Sequence, residues 1–204
     1  PEIGRIVIAI ERPEVLDALP GLREPNCRRP VAIVAAAEGP SASVASVLAR
    51  EGVPLLVTTA DHALLRPEWI RDFLDATPAN ADATIALARR RNVVAAAPGT
   101  RRTWLRFVEG EYSGCNLFLL RQPAATGVVD FWRRLEMERK RPLRLMLRLG
   151  VGFALRYGLG WLRLEDALAE LGRASGARVA VVEMTDGRAA IDVDKPDDLE
   201  LVRR

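Results

Sequence analysis

Apolar residues fall into short unbroken runs separated by amphipathic stretches, and that alternation predicts strands interleaved with helices. Ile6 to Ile10 and Val31 to Ala36 lack polar alternation, as strands covered on both faces do, and Leu55, Leu56 and Val57 form a third such run. Between the first two, Pro13 to Leu19 reads as helical, with Pro13 and Glu14 suiting its start. Glu38-Gly39-Pro40-Ser41 marks a turn, and Ser41 to Arg50 predicts a helix with Ser41 as its N-cap. A helix over Pro67 to Leu74 comes next, then a strand over Ala83 to Ala88 that ends in Arg89, Arg90 and Arg91. Thr103 to Val108 alternates like an exposed strand, Glu109-Gly110 turns, and Ser113 to Leu120 returns as an apolar strand, together a ribbon feeding back into the sheet. Residues 128–171 read as mainly helical, broken at Pro142 and at the glycines 150, 152, 158 and 160. A last strand, Arg178 to Glu183, precedes a closing helix begun by Pro196. The expected fold is α/β, a three-layer sandwich with helices covering a mostly parallel sheet.

Length and composition narrow this picture. The chain has 204 residues, 28% charged and 49% hydrophobic, which suits one domain over 1–204 that buries about 70% of its unfolded surface. No apolar run reaches the roughly 20 residues that span a bilayer, and the start has no basic region followed by an apolar one, so no signal peptide is expected. The formal charge of +3 comes almost wholly from arginine, with acids interleaved through most of the chain, so nucleic acid is not an expected partner. Cys27 and Cys115 are too few and too distant for a disulfide scaffold or metal cluster. The expected compartment is the cytoplasm.

Two acidic clusters fall where strands end. Asp61 follows the Leu55 to Val57 run, and Asp192 and Asp194 lie between the last strand and the last helix. In open α/β sheets ligands bind outside the carboxyl ends of strands, so these three carboxylates, if brought together, suit magnesium, which keeps water and bridges carboxylates to phosphates. The plain alternative is that each aspartate caps a helix or turns a loop.

Four stretches together resemble the MobA-like nucleotidyltransferases, a group with a nucleotide-diphospho-sugar transferase-like (glycosyltransferase-A-type) fold. Gly39-Pro-Ser-Ala-Ser-Val44 is similar to the loop that meets the base. Thr59-Ala-Asp61-His-Ala-Leu-Leu65 is similar to the metal-bearing strand end. Gly114-Cys-Asn116 resembles the acceptor-side segment, and Ile191-Asp-Val-Asp-Lys-Pro-Asp-Asp-Leu199 resembles the terminal motif. The resemblance implies a magnesium-dependent enzyme that moves a nucleoside monophosphate from a nucleoside triphosphate to a phosphorylated small molecule or cofactor precursor, releasing pyrophosphate. It further implies Asp61 and Asp192 in catalysis, Asp61, Asp192 and Asp194 at the metal, Ser41, Ser43, Thr59 and Ala60 at the nucleotide, and Gly114, Asn116 and Arg102 at the acceptor.

The family's N-terminal glycine-rich loop, whose amides hold the triphosphate, is not in the sequence, and Pro1 to Ile10 is similar to the family's second strand. The expectation is a fragment rather than a degenerate member, because a sheet without its first strand would expose unpaired edges. His62-Ala63 stands where the family often has proline, and Lys195 where it has threonine; Lys195 is expected in solvent at a helix start. The competing functional readings are a non-catalytic nucleotide- or partner-binding domain of the same fold, and a glycosyltransferase using a nucleotide sugar.

His62 is the chain's one histidine, so a zinc site is not expected, and packing is the default for it as for Trp104 and Phe107. Arg101, Arg102, Arg106 and the Arg89 to Arg91 run suit phosphate, with solvated surface arginine as the ordinary alternative. Residues 133–163 mix arginines with leucines and aromatics. That stretch reads as a helix packed on the sheet with an arginine-rich outer face, or as a basic amphipathic segment making peripheral contact with an anionic membrane.

Overall fold

The computed structural model describes residues 3–19, 29–138 and 150–203. Cys27, Lys140, Pro142 and part of the 133–163 basic stretch lie outside the described residues. The chain divides into two compact units, Pro1–Gly52 and Val53–Arg204.

In the first unit, β1 (Ile6–Ile10) pairs in parallel with β2 (Val31–Ala35), with Ile6 opposite Val31 and Ile10 opposite Ala35. Parallel neighbours need a crossover between them; part of it is a single 3-10 stretch, Pro13–Ala18, shorter than the helix expected there, that buries Leu16. Helix α1 (Pro40–Glu51) follows, and its start corrects the expected cap. Gly39 is the N-cap and Pro40 takes the first turn, which needs no amide donor, so Ser41 lies inside the helix and is buried. Ser43 finishes the turn: its Oγ accepts from Ala37 N at 2.9 Å and donates to the Gly39 carbonyl at 3.0 Å.

The second unit is built on β3 (Leu55–Thr58), β4 (Ala83–Arg89), β5 (Leu105–Phe107), β6 (Gly110–Leu120) and β7 (Val179–Met184), in the order β3-β6-β4-β7 with β5 also on β6. The architecture is α/β as expected, but the sheet is mixed rather than mostly parallel. Only the β4–β7 ladder is parallel; β6 runs against β3, β4 and β5. The physical cause is the turn at Val108-Glu109, which folds β5 back on β6 with Phe107 opposite Gly110, and β6 then inserts between β3 and β4.

Helix α2 (Pro67–Ala76) buries Trp69 and Phe73, four residues apart on one face, into a core with Ala86, Val93, Leu117 and Ile191. Helix α3 (Arg90–Ala96), which the arginine run concealed in the sequence, continues directly from β4 and buries Val93. It packs on the 3-10 turn Gly187–Ala190, where a Cβ on Gly187 would sit 2.1 Å from the Asn92 carbonyl oxygen. Only glycine allows that approach, and through it the residues leading to Asp192 are held against α3. Helices α4 (Thr126–Glu138), α5 (Val151–Gly158), α6 (Leu164–Ser175) and α7 (Pro196–Val202) complete the unit, α4 packing on α6.

The β4–β7 pairing is clamped at its start by Asp82 and Arg178. Arg178 donates to the Asp82 carboxylate from its amide (2.8 Å), from Nε (3.1 Å) and from Nη2 (2.8 Å). Those bonds hold the Asp82 carboxyl down at about 2, against an ordinary 3.8. A carboxyl depressed by folding stabilises the fold above its unfolded value and loses that contribution as pH falls through the folded one. Acid unfolding is therefore expected to carry an Asp82 component between about pH 4 and pH 2, and Asp82→Asn should flatten stability against pH in that window. Chemical denaturation at stepped pH checks this, and an unchanged acid limb in the variant would contradict it.

Candidate functional site

The site in the second unit lies beyond the carboxyl ends of β3 and β7, and the chain brings three separated segments to the Asp192–Asp194 stretch there. The first is the turn after β3. Thr59 Oγ1 donates to Asp61 Oδ1, and the Asp61 carbonyl accepts from Ala63 N at 2.9 Å and from Val193 N at 3.0 Å. Asp61 does not cap α2: the N-cap there is Arg66, with no side-chain bond. The bond from Val193 joins Asp61 directly to the segment that carries Asp192 and Asp194.

The second segment is a bulge in β6. Ile85 pairs with Phe118 and Leu87 with Gly114, so one residue of β4 faces three of β6, Cys115 to Leu117. Asn116 takes φ +47° inside it, a left-handed conformation that asparagine tolerates better than most residues. Bulges re-aim side chains, and here Asn116 Nδ2 donates to Asp192 Oδ2 at 2.8 Å. Gly114 beside it is exposed. Cys115 points into the core, where burial pushes its thiol up to about 12 and leaves it protonated and inert.

Arg102 supplies the third segment, from the loop between α3 and β5. Its side chain, only 8% exposed, is ion-paired through Nη1 with Asp192 Oδ1 and donates from Nη2 to the Asp192 carbonyl at 2.9 Å. Burial works against its charge, while Asp198, Asp194 and Asp61 supply negative potential that favours it. Asp192 is thus held from both sides, by Arg102 and by Asn116.

Asp194 differs from its neighbour. It is exposed, and among the described residues its carboxylate makes no hydrogen bond or ion pair. The backbone around it is fixed by Asp198, whose Oδ2 accepts from Asp194 N (3.2 Å) and Lys195 N (3.0 Å) at the start of α7. Sequence reading overlooked Asp198, although an acid three residues after Lys195 stands at the place of a capping carboxylate. Lys195 is the exposed residue ahead of that helix.

His62 lines the inner wall. It is buried, stacks on Trp69 at 6.1 Å between ring centroids, and brings Nδ1 to 3.5 Å from Thr58 Oγ1. Burial lowers its pKa below the usual 6.5, the Arg102 charge adding to that and Asp61 and the Ala189 backbone opposing it, so the ring is neutral at pH 7. His62 Nε2, Thr100 Oγ1 and Arg102 Nε are buried without a hydrogen-bond partner among the described residues. Such orphaned polar atoms concentrate where a site has polar work to do.

Among the described residues no three His, Cys, Asp or Glu side chains gather closely enough to cage a metal by themselves. The donor set does fit a hard, water-keeping cation held by one or two carboxylates: Asp61 stands at the strand end and Asp194 is unengaged on the neighbouring segment. Asp192 is already neutralised.

The other expected contacts fall elsewhere. Arg89 donates to Glu183 at 2.6 Å and to the Glu109 carbonyl at 3.0 Å, and Arg90 pairs with Glu111 while lying over Trp104. Arg106 faces Glu111 at 3.3 Å, so these arginines tie the β5–β6 hairpin to β4 and β7. Thr59 and Ala60 lie in the Asp61 turn, whereas Ser41 and Ser43 belong to the first unit.

Comparison with known proteins identifies the family and agrees with the α/β fold. The profile of the MobA-like NTP transferase domain matches residues 2–127, a stretch that includes Asp61, Arg102 and Asn116. A hypothetical transferase from Thermus thermophilus is 29% identical, with a TM-score of 0.76 over 83% of this chain and 73% of that one. No curated protein matches the chain.

Proposed function

The chain belongs to the MobA-like NTP transferase family, and from that premise we propose that it transfers a nucleoside monophosphate from a nucleoside triphosphate to a phosphorylated small-molecule acceptor. The observation that carries this reading is the convergence of Asp61, Asn116, Arg102 and the Asp192–Asp194 segment beyond the ends of β3 and β7. A phosphate oxygen of the acceptor attacks the α-phosphorus in line. One oxygen–phosphorus bond forms as the bond to the β-phosphate breaks, and pyrophosphate leaves with its electron pair. No protein nucleophile is needed, because such transfers depend on positioning and on neutralising charge.

Each residue then has a task. Asp61 and Asp194 hold magnesium, which when bound neutralises phosphate charge. Thr59 orients the Asp61 carboxylate through its hydroxyl. Arg102 holds Asp192 in place rather than touching the acceptor, and Asp192 in turn orients Asn116, which with Gly114 borders the acceptor. Thr59 and Ala60, in the Asp61 turn, are assigned to the nucleotide.

Thermal melting with each of the four ribonucleoside triphosphates, with and without magnesium, tests the proposal, since a ligand that binds the folded state raises its stability by mass action. The expected result is a magnesium-dependent rise with one triphosphate that is lost in Asp61→Ala. No rise with any of them would overturn the reading. Product analysis sets it against its competitor: pyrophosphate marks nucleotidyl transfer, and free nucleoside diphosphate from a nucleotide sugar marks glycosyl transfer.

A further inference from the structure

His62 follows Asp61 directly and is only 5% exposed. Its backbone is fixed on both sides, its N–H donating to the Thr59 carbonyl at 3.2 Å and its carbonyl accepting from Leu65 N at 3.0 Å. The ring then meets three elements. It stacks on Trp69 of α2 with 20° between the ring planes, Nδ1 faces Thr58 Oγ1 at the last residue of β3, and the Ala189 backbone acts on it from the 3-10 turn that leads to Asp192. Packing alone does not account for an imidazole here. A phenyl ring would fill the same space on Trp69, whereas the imidazole buries Nε2 without a hydrogen bond of normal geometry among the described residues, a desolvation cost that an apolar ring does not carry.

Its place in the fold supplies the task. The bond from Val193 N to the Asp61 carbonyl, at 3.0 Å, ties the main chain of the Asp61 turn to that of the Asp192–Asp194 segment. The His62 ring is the side-chain counterpart of that bond, lying between the end of β3, α2 and the turn at Gly187–Ala190. We infer that His62 is a positioning residue: its ring nitrogens, held between Thr58 and the Gly187–Ala190 turn, set the spacing at which the Asp61 and Asp194 carboxylates share a cation. This rests on the assignment of Asp61 and Asp194 to magnesium. Groups that orient a metal's ligands without touching the metal supply much of its affinity. The separation of 3.5 Å between Nδ1 and Thr58 Oγ1 is that of a contact which tightens once a ligand is bound.

Manganese(II) binding to the full chain, followed by loss of the free ion's electron paramagnetic resonance signal, tests this beside thermal melting. His62→Phe keeps a ring on Trp69 and removes both nitrogens. It should melt no lower than the native chain yet bind manganese roughly 10–100-fold more weakly. His62→Gln, whose amide both donates and accepts, should recover part of that affinity. Native manganese affinity in His62→Phe, with Asp61→Asn defective, would overturn the inference alone. A loss that glutamine does not relieve and that a fall in melting temperature accompanies would also overturn it, because the ring would then be core and nothing more. So would a nitrogen coupling on the bound ion, which would make the ring a ligand itself. The underlying assignment fails separately: native manganese affinity in Asp61→Asn, or no uptake by the native chain, would remove the cation from Asp61 and the inference with it.

Discussion

Arg102→Ala is expected to lower the unfolding free energy by about 3 kcal/mol, because it leaves the Asp192 carboxylate half-buried with its counter-charge gone. For a protein of this size that is a fall in melting temperature of roughly 6–12 °C. The pair is worth less than its rupture suggests, since ordering and desolvating both ions offsets most of their attraction. A cycle separates the two quantities. Asp192→Asn alone keeps an acceptor for Asn116 but leaves Arg102 unpaired, and the double variant Arg102→Ala/Asp192→Asn should lose clearly less than the sum of the single losses. Urea unfolding of the four proteins gives the coupling. Additivity within about 0.5 kcal/mol would mean that the two side chains act independently and that Arg102 does not position Asp192.

The largest effect on activity is expected at Asp61. Asp61→Asn keeps the side chain's shape and its place beside Thr59 while removing the charge, and turnover in pyrophosphate release should fall by about 10²–10³-fold, the scale of losing one preorganised electrostatic contact to the transition state. Asp194→Asn should raise the magnesium concentration needed for half-maximal rate and leave the melting temperature alone, because its carboxylate carries no hydrogen bond or ion pair among the described residues. Asp192→Asn should do the reverse, costing stability and acceptor affinity more than magnesium dependence. Turnover of Asp61→Asn within a few-fold of native would remove Asp61 from the reaction. An equal change in magnesium dependence for Asp192→Asn and Asp194→Asn would cancel the division of labour between them.

That division shows where sequence reading stops. Asp61, Asp192 and Asp194 stand out by residue type and by following apolar runs, and so all three look alike as metal ligands. Which of them is free depends on a guanidinium 90 residues away from Asp192 and on an asparagine 76 residues away. Neither separation has a periodic signature. Ser41 shows the same limit at short range: serine after a turn suggests a cap, but Pro40 starts the helix one residue earlier and Gly39 takes the capping position.

By itself, the sequence determined where most strands and helices lie, because unbroken apolar runs and 3.6-residue periodicity are local signals, and where most of them stop, because proline and glycine act on their own backbone. It also determined the residues available to the proposed phosphate-handling site, and a stretch, Arg139 to Arg163, in which cations are not interleaved with acids. Tertiary structure alone decided that β6 runs against its neighbours, since an apolar run carries no direction. It alone decided that β4 continues into α3, where Val93 is buried. It also decided that a bulge turns Asn116 onto Asp192 and that Arg102 is buried against the same carboxylate. Those features depend on which surfaces meet, and pairing energies between residues far apart in the chain become favourable only once the core has brought them within hydrogen-bond reach.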